Sequence, residues 1–403
     1  MAKPLYVDPE KFDDVQREIL DVGFGVEERN CIVQGCAGCG KSCIAMNMFV
    51  NLCARGNRKP VIVTNQRALI NAYLRELRSL SDLAAAEYVR AAQNGAKESW
   101  FSKNTAINTF NRGIQKGVFP VDATDLLVDE AQDFTLQDIQ QMLSYFGQNL
   151  KAVHFFGDDG QQIYEGIDGG AHRVSMSDLV SVAKSVGGKE PFCKILYDNY
   201  RLPPVIAEFV DQVEPHSQLA RKCHGEGTEK ARMLRFASHS DALQAVANVI
   251  RVRMGGVENY LAAVICQSRN RCEEMYATLN AMNLGFVQRV RGPLSDQWTT
   301  YRDPDGPKTI ESLVAVSANG HMLRTNLVVT TAFASKGLQY DDVFIVTDDF
   351  NNKGWNENVL HQLHVALTRT QGGLIVCYTP GENMGEPPRP FSRVMETKFK
   401  ATL

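Results

Sequence analysis

The stretch "GCAGCGKS" at residues 35–42 constrains this chain more than any other. It fits G-x-x-x-x-G-K-[ST], with "NCIVQG" (30–35) leading into it and "KSCIAMNMFVNLCARG" running on from Lys41. The first reads as a strand and the second as a helix ending at Gly56. Glycines such as Gly35, Gly38 and Gly40 let the backbone fold round phosphate groups and turn its N–H groups toward them. The helix N-terminus adds partial positive charge. In such a loop Lys41 reaches the β- and γ-phosphates and Ser42 binds Mg²⁺. A chance glycine-rich turn would not need a strand before it and a helix after it.

The same alternation of short apolar runs and amphipathic stretches continues along the chain. "PVIVTN" (60–65), "DLLVDE" (125–130) and "KAVHFFGD" (151–158) read as strands, with "QRALINAYLRELRSL" and "LQDIQQMLSYFG" as helices. It then begins again with "ARMLRF" (231–236), "LAAVICQ" (261–267), "LVVTTA" (327–332), "DVFIVT" (342–347) and "GLIVCYT" (373–379). Short buried strands separated by helices predict βαβ units and parallel sheets covered on both faces. The fold class is therefore α/β, with one mainly parallel sheet flanked by helices in each half. The polar "ARKCHGEGTEK" (220–230) carries two glycines and reads as a linker, so the domains are expected at 1–215 and 216–403. An irregular insertion is expected at about 291–325, opening with the Pro-, Gly- and Asp-rich "RGPLSDQWTTYRDPDGPKT".

"DEAQDF" (129–134) closes the apolar "LLV" with two carboxylates. Asp129 at the strand end suits a Mg²⁺ ligand, and Glu130 suits orienting and activating an attacking water. Two acids at a strand end can also simply cap the next helix, but a phosphate loop upstream favours hydrolysis of a nucleoside triphosphate. Cys36 and Cys39 make a C-x-x-C inside the loop. No second Cys/His pair has zinc spacing, and the loop must wrap phosphates, so a structural reading is preferred over a metal or redox one.

Bulk properties narrow the class further. A net charge of −3 over 403 residues excludes a strong global attraction to nucleic acid, so any such site must be a local groove. Ten cysteines without a secretory framework or N-terminal apolar segment point to reduced thiols and a cytoplasmic protein. No run approaches the roughly 18 apolar residues of a membrane span.

Further motifs follow in a fixed order: Gln16-Arg17, "VTNQRAL" (63–69), "INTFN" (107–111), "DEAQD", "GDDGQQIY" (157–164), "NYR" (199–201), "FASKGLQYDDVFI" (333–345) and "HVALTR" (364–369). With these the chain resembles the superfamily 1 helicases of the UvrD/Rep type, along nearly its whole length. The resemblance implies two tandem RecA-like domains and an ATP-dependent motor on single-stranded nucleic acid. DNA and 3′ to 5′ movement are the expected track and polarity.

The resemblance also implies residue roles. Gln16 would read the adenine edge and Tyr200 would stack on the base. Gly337 and Gln339 would lie at the nucleotide, Gln339 on a ribose hydroxyl. Arg201 and Arg369 would contact the γ-phosphate from the two sides of a cleft, and Gln161 would sense it. Thr64, Asn65, Thr109, Phe110, Asn111 and Tyr164 would face the strand from the first half, and Gln267, Ser268, Ser335 and Lys336 from the second. Hydroxyls and amides suit phosphate contacts that carry no sequence information.

The chain departs from the family pattern in places. Gly166 stands where an aromatic residue stacks on a base, with Tyr164 or Phe110 as substitutes; such stacking is worth about 1–3 kcal/mol per base. Phe333 and Gln339 replace a His and a Glu. Only about forty residues separate the second strand from "INTFN", and about sixty separate "VICQ" from the fifth motif. The large accessory insertions of UvrD/Rep enzymes do not fit there. Two alternatives to a motor therefore stay open: a nucleic-acid-sensing ATPase switch controlling a partner such as a nuclease, and an RNA helicase.

Overall fold

The computed structural model describes residues 5–25, 28–80, 106–159, 172–214, 219–225, 231–254, 262–281, 313–316, 322–325, 327–347, 357–379 and 391. The chain divides into two compact units, 3–197 and 198–403.

The first unit is built on six parallel strands: β1 (Cys31–Gly35), β2 (Pro60–Thr64), β3 (Ile107–Thr109), β4 (Asp125–Asp129), β5 (Ala152–Gly157) and β6 (Phe192–Leu196). Their order is β3-β2-β4-β5-β1-β6. Central strands β2, β4 and β5 are buried at every position, which is why they are continuous apolar runs in the sequence. Alternate residues feed two cores. Val33, Ile62, Leu127 and Phe156 join the layer containing Ile44, Phe49 and Tyr73. Ile32, Val61, Val63, Val128 and Phe155 join the opposite layer, with Phe134, Ile139 and Met142. Helices α1 (Asp14–Phe24), α2 (Lys41–Ala54) and α3 (Arg67–Ser79) supply much of the first layer.

This order decides where the chemistry sits. β5 pairs with both β1 and β4, with Phe155 opposite Ile32 and Val128. The C-terminal ends of the phosphate-loop strand and the "DEAQD" strand therefore flank the end of β5. Loops at the C-terminal ends of parallel strands are where α/β sheets bind ligands.

The second unit carries a five-stranded parallel sheet, β11-β8-β12-β13-β7. Its strands are β7 (Ala231–Arg235), β8 (Ala262–Cys266), β11 (Leu327–Thr331), β12 (Tyr340–Val346) and β13 (Thr370–Tyr378). Leu234, Val246, Ile250, Val264, Phe344 and Cys377 form its main apolar cluster. Within the expected insertion, β9 (Leu313–Val316) and β10 (Met322–Thr325) pair antiparallel.

The division at 197/198 falls before the expected boundary near 215. The stretch expected as a linker is stitched to chain upstream of it. Asn199 N–H donates to Lys222 O (2.8 Å), His224 N–H donates to Asn199 O (2.7 Å), and Asp211 accepts from Leu219 N–H and Ala220 N–H. Polarity marks a loop, but it does not show which elements the loop is bonded to. No described helix is long and apolar enough to cross a membrane.

Candidate functional site

The phosphate loop leaves β1 at Gly35 and enters α2 at Lys41. Gly40 caps the helix at φ 92°, a conformation L side chains rarely adopt, and a Cβ there would lie 2.7 Å from Gln16 Nε2. Gln16 is the reason for that closeness. It sits in a capping box with Asp13, taking Asp13 N–H on Oε1 (3.2 Å) and donating from Nε2 to Cys39 O (3.0 Å). The first helix is thereby tied to the loop by the amide expected to read a base.

Lys41 donates to Gly35 O (2.6 Å) and Cys36 O (3.0 Å) and lies 3.8 Å from Cys39 Sγ. Burial alone would lower its pKa, but negative charge at Cys39, Asp158 and Glu130 outweighs burial and raises it. The lysine is firmly an ammonium ion aimed into the loop. Cys36 is pushed up, first by its hydrogen bond to Cys39 and then by burial. The two thiols are part of the loop's own bonding.

Asp129 and Glu130 follow β4. Glu130 adopts φ 58° and ψ 47°, the one non-glycine at positive φ among the described residues. Such strain persists only where surrounding bonds over-determine it. Here Gln132 does so: its Nε2 donates to Glu130 Oε2 (2.6 Å), and its Oε1 accepts from Asp158 N–H at the end of β5 (3.0 Å). Asp129 is fully buried. Tyr73 Oη donates to its Oδ2 (2.6 Å), and Glu130 N–H donates to its Oδ1 (3.0 Å). Burial and the neighbouring Glu130 raise its pKa to about 6 against the pull of Tyr73, Ser42 and Lys41. The Ser42 side chain helps to stabilise the charged Asp129 carboxylate. A hydroxyl and a carboxylate meeting at one point make an all-oxygen donor pair, which fits a hard cation such as Mg²⁺.

A network runs from this turn toward β2. Gln66 Nε2 donates to Asp133 Oδ2 (3.2 Å), and Asn65 Nδ2 donates to Asp133 O (3.3 Å). Residues 129–133 thus touch the phosphate loop's serine, the end of β5 and the segment after β2.

In the second unit the expected arginines gather at one helix end. Helix Glu357–Leu367 is closed by Thr368, whose Oγ1 donates to His364 O (2.9 Å). Arg369 Nε donates to Val365 O (2.9 Å) and its Nη2 to Thr368 Oγ1 (3.0 Å). A cation is favoured at a helix C-terminus. Arg201 Nη1 lies 3.4 Å from Thr368 O. With its amide oxygen turned toward that guanidinium, Gln339 accepts from Arg201 Nε (3.2 Å) and Nη2 (3.0 Å). Gly337 takes φ 79° in the turn before Gln339. Tyr200 stacks on His224 (centroids 5.2 Å, 18°), and His224 Nε2 bonds Asp198 Oδ1 (2.6 Å).

Residues 16–167 match the family model of an AAA domain, and residues 326–377 match that of a UvrD-like helicase C-terminal domain. The chain belongs to the UvrD/Rep-like superfamily 1 helicases. As such it is a nucleic-acid-dependent ATPase of the helicase class, a hydrolase. No curated protein sequence registers as a match.

Within this helicase the expected strand-facing residues divide by exposure. Asn65, Asn111 and Ser268 are exposed and Gln267 is half-buried. Thr64, Thr109, Phe110, Ser335 and Lys336 are buried. Thr64 Oγ1 accepts from Gln66 N–H (3.2 Å), and Ser335 Oγ donates to Ala332 O (2.9 Å). Phe110 packs edge-on to Phe134 (5.9 Å, 74°), so it is a core residue and not an open stacking platform. Gln161, Tyr164 and Gly166 lie outside the described residues.

Three contributors went unread in the sequence: Tyr73, Gln132 and Gln66. Tyr73 belongs to the stripe Leu69-Ile70-Tyr73-Leu74-Leu77, which reads simply as the buried face of α3. The available signal was the phenol itself, because a buried tyrosine hydroxyl needs a partner.

Proposed function

We propose that this helicase-family ATPase is a motor that moves on single-stranded DNA with 3′ to 5′ polarity. Lys41 binds the β- and γ-phosphates, Ser42 and Asp129 hold Mg²⁺, and Glu130 orients and deprotonates the attacking water. The bound cation would neutralise charge on the phosphates. Arg201, Arg369 and Gln161 act on the γ-phosphate. Gln16, Gly35, Gly38, Gly40, Tyr200, Gly337 and Gln339 bind the rest of the nucleotide.

The observation that carries this reading is the bonded path through residues 129–133. Glu130 is held by Gln132, and the next residue, Asp133, is bonded to Gln66 and Asn65. A phosphate contact at exposed Asn65 would act on the same short turn that sets the hydrolytic carboxylate. That supports hydrolysis coupled to strand binding. Asn111, Gln267 and Ser268 are the other exposed candidates for the track. Ten free thiols support a reducing compartment, the cytoplasm.

Burial of Phe110 favours a second reading, in which grip is weak and the ATPase is a switch read by a protein partner such as a nuclease. RNA as the track is the third. Steady-state ATP hydrolysis under reducing conditions separates them: protein alone, then with single-stranded DNA, single-stranded RNA and duplex DNA. Strong stimulation by single-stranded DNA is expected. Stimulation by RNA alone moves the assignment to an RNA helicase, and indifference to all three moves it to the partner-read switch.

A further inference from the structure

The metal-holding carboxylate has a partner outside every helicase motif. Tyr73 lies on α3, 56 residues from Asp129 in sequence, and its ring is wholly buried in the layer with Ile44, Phe49 and Leu127. Its hydroxyl emerges from that apolar layer at the hydrolytic centre. Oη is 2.6 Å from Asp129 Oδ2 and 3.4 Å from Ser42 O. A phenol has one proton to donate, and the distances assign it to Asp129. Tyr73 therefore bonds the carboxylate of the oxygen pair that fits Mg²⁺ and lies against the backbone carbonyl of Ser42.

The carboxylate is then held from two sides. Glu130 N–H occupies one oxygen and Tyr73 Oη the other. A carboxylate accepts about four hydrogen bonds, so lone pairs remain for a cation. Its rotamer, however, is fixed by a side chain that cannot move without opening the core. Partners of this kind orient metal ligands, and losing one typically costs about 10–100-fold in metal affinity.

We propose that Tyr73 is a positioning residue of the hydrolytic centre: its hydroxyl sets the Asp129 carboxylate for the divalent cation. The inference rests on the reading of Asp129 as a Mg²⁺ ligand, and the experiment separates the two. Fluorescent N-methylanthraniloyl-ATP is bound to the full chain in EDTA and then across a Mg²⁺ titration. The wild type, Tyr73→Phe and Asp129→Asn are compared, and thermal midpoints are recorded without metal.

Tyr73→Phe is expected to raise the half-saturating Mg²⁺ about tenfold while affinity in EDTA stays unchanged. Asp129→Asn is expected to remove most of the Mg²⁺ dependence. If Asp129→Asn shifts the titration and Tyr73→Phe does not, the positioning role is overturned and the metal reading stands. If Asp129→Asn leaves the titration unchanged, the metal reading fails and the inference with it. Equal loss of affinity by Tyr73→Phe in EDTA and in Mg²⁺ means a purely structural tyrosine, which also overturns the proposal. Should the phenylalanine variant not fold, Tyr73→Met carries the same titration.

Discussion

The two units share an all-parallel sheet, yet they hold their functional charges in different ways. In the first, charged groups lean on one another. Negative charge at Cys39, Asp158 and Glu130 raises Lys41, and Glu130 together with burial raises Asp129. In the second, Arg369 is bonded to the carbonyl of Val365 and the hydroxyl of Thr368, and Arg201 is bonded to the amide of Gln339. The first is a tuned cluster, where removing one charge changes the others. In the second, neutral oxygens take part in holding both cations, and Arg369 is itself buried. Substitutions should therefore behave differently in the two units.

The largest effect belongs to the first unit. Glu130→Gln should reduce steady-state phosphate release by up to about 10⁴-fold, the upper range for a positioned general base. Nucleotide binding should survive, since the amide keeps the size of the carboxylate and can still meet Gln132. Lys41→Ala should abolish hydrolysis and weaken nucleotide binding as well. Full turnover by Glu130→Gln, measured beside fluorescent-nucleotide binding, would sink its assignment as the base.

In the second unit, Arg369→Ala should lower kcat by about 10²–10³-fold, as for loss of one donor to transition-state charge. ATP affinity should change far less, while the thermal midpoint should fall as well, because Arg369 is buried and bonded to Val365 and Thr368. A parallel fall in kcat and affinity would mean that Arg369 binds ground-state nucleotide, and the contrast between the units would lose its basis.

Acid should separate the units too. His154, in the middle of β5, is completely buried, and burial lowers its pKa to about 4 against the pull of Asp125. Its Nδ1 accepts from Cys31 N–H (3.3 Å), which needs the neutral ring. The unfolded chain takes up this proton near pH 6.5 and the folded chain only near pH 4. Stability is thus intact above about pH 6.5 and is lost as pH falls toward 4. Between pH 7 and 5 the loss is about 2 kcal/mol, from 1.36 kcal/mol per pKa unit. His154→Gln should flatten that slope in thermal melts. An unchanged slope would place the acid sensitivity elsewhere.

How much of this was legible depends on how local each cause is. The phosphate loop is written in eight consecutive residues, and β2, β4 and β5 are apolar runs because they are buried on both faces. β6 went unread because "FCKIL" is an edge strand with exposed positions and a lysine. β3 is three residues long and lay hidden in the motif "INTFN". The resemblance put Phe110 at the strand, but its ring is used against Phe134. Contacts between distant segments are the least legible. Arg58 grips Asp125 across 67 residues, Nε to Oδ2 at 2.9 Å, and Tyr73 reaches Asp129 across 56. Neither pairing leaves a spacing to read.

The smallest effect tests whether the first unit's tuning extends beyond the nucleotide. Gln132 links Glu130 to the end of β5, and its chain neighbour Asp133 is bonded to Gln66 and Asn65. A hydrogen bond to a charged group contributes about 1.5–3 kcal/mol, so even partial loss in Gln132→Ala corresponds to about tenfold in rate. The informative quantity is the ratio of stimulated to unstimulated hydrolysis. If Gln132 only steadies the carboxylate, both rates fall together and the ratio holds. If it also transmits strand binding, the stimulated rate falls about tenfold further than the basal one. Asn65→Ala should then lower the same ratio with basal hydrolysis intact, because Asn65 is exposed and meets the turn only through the carbonyl of Asp133. Variants that break the ratio at both positions would trace the coupling through residues 129–133; a constant ratio in both would confine this turn to hydrolysis alone.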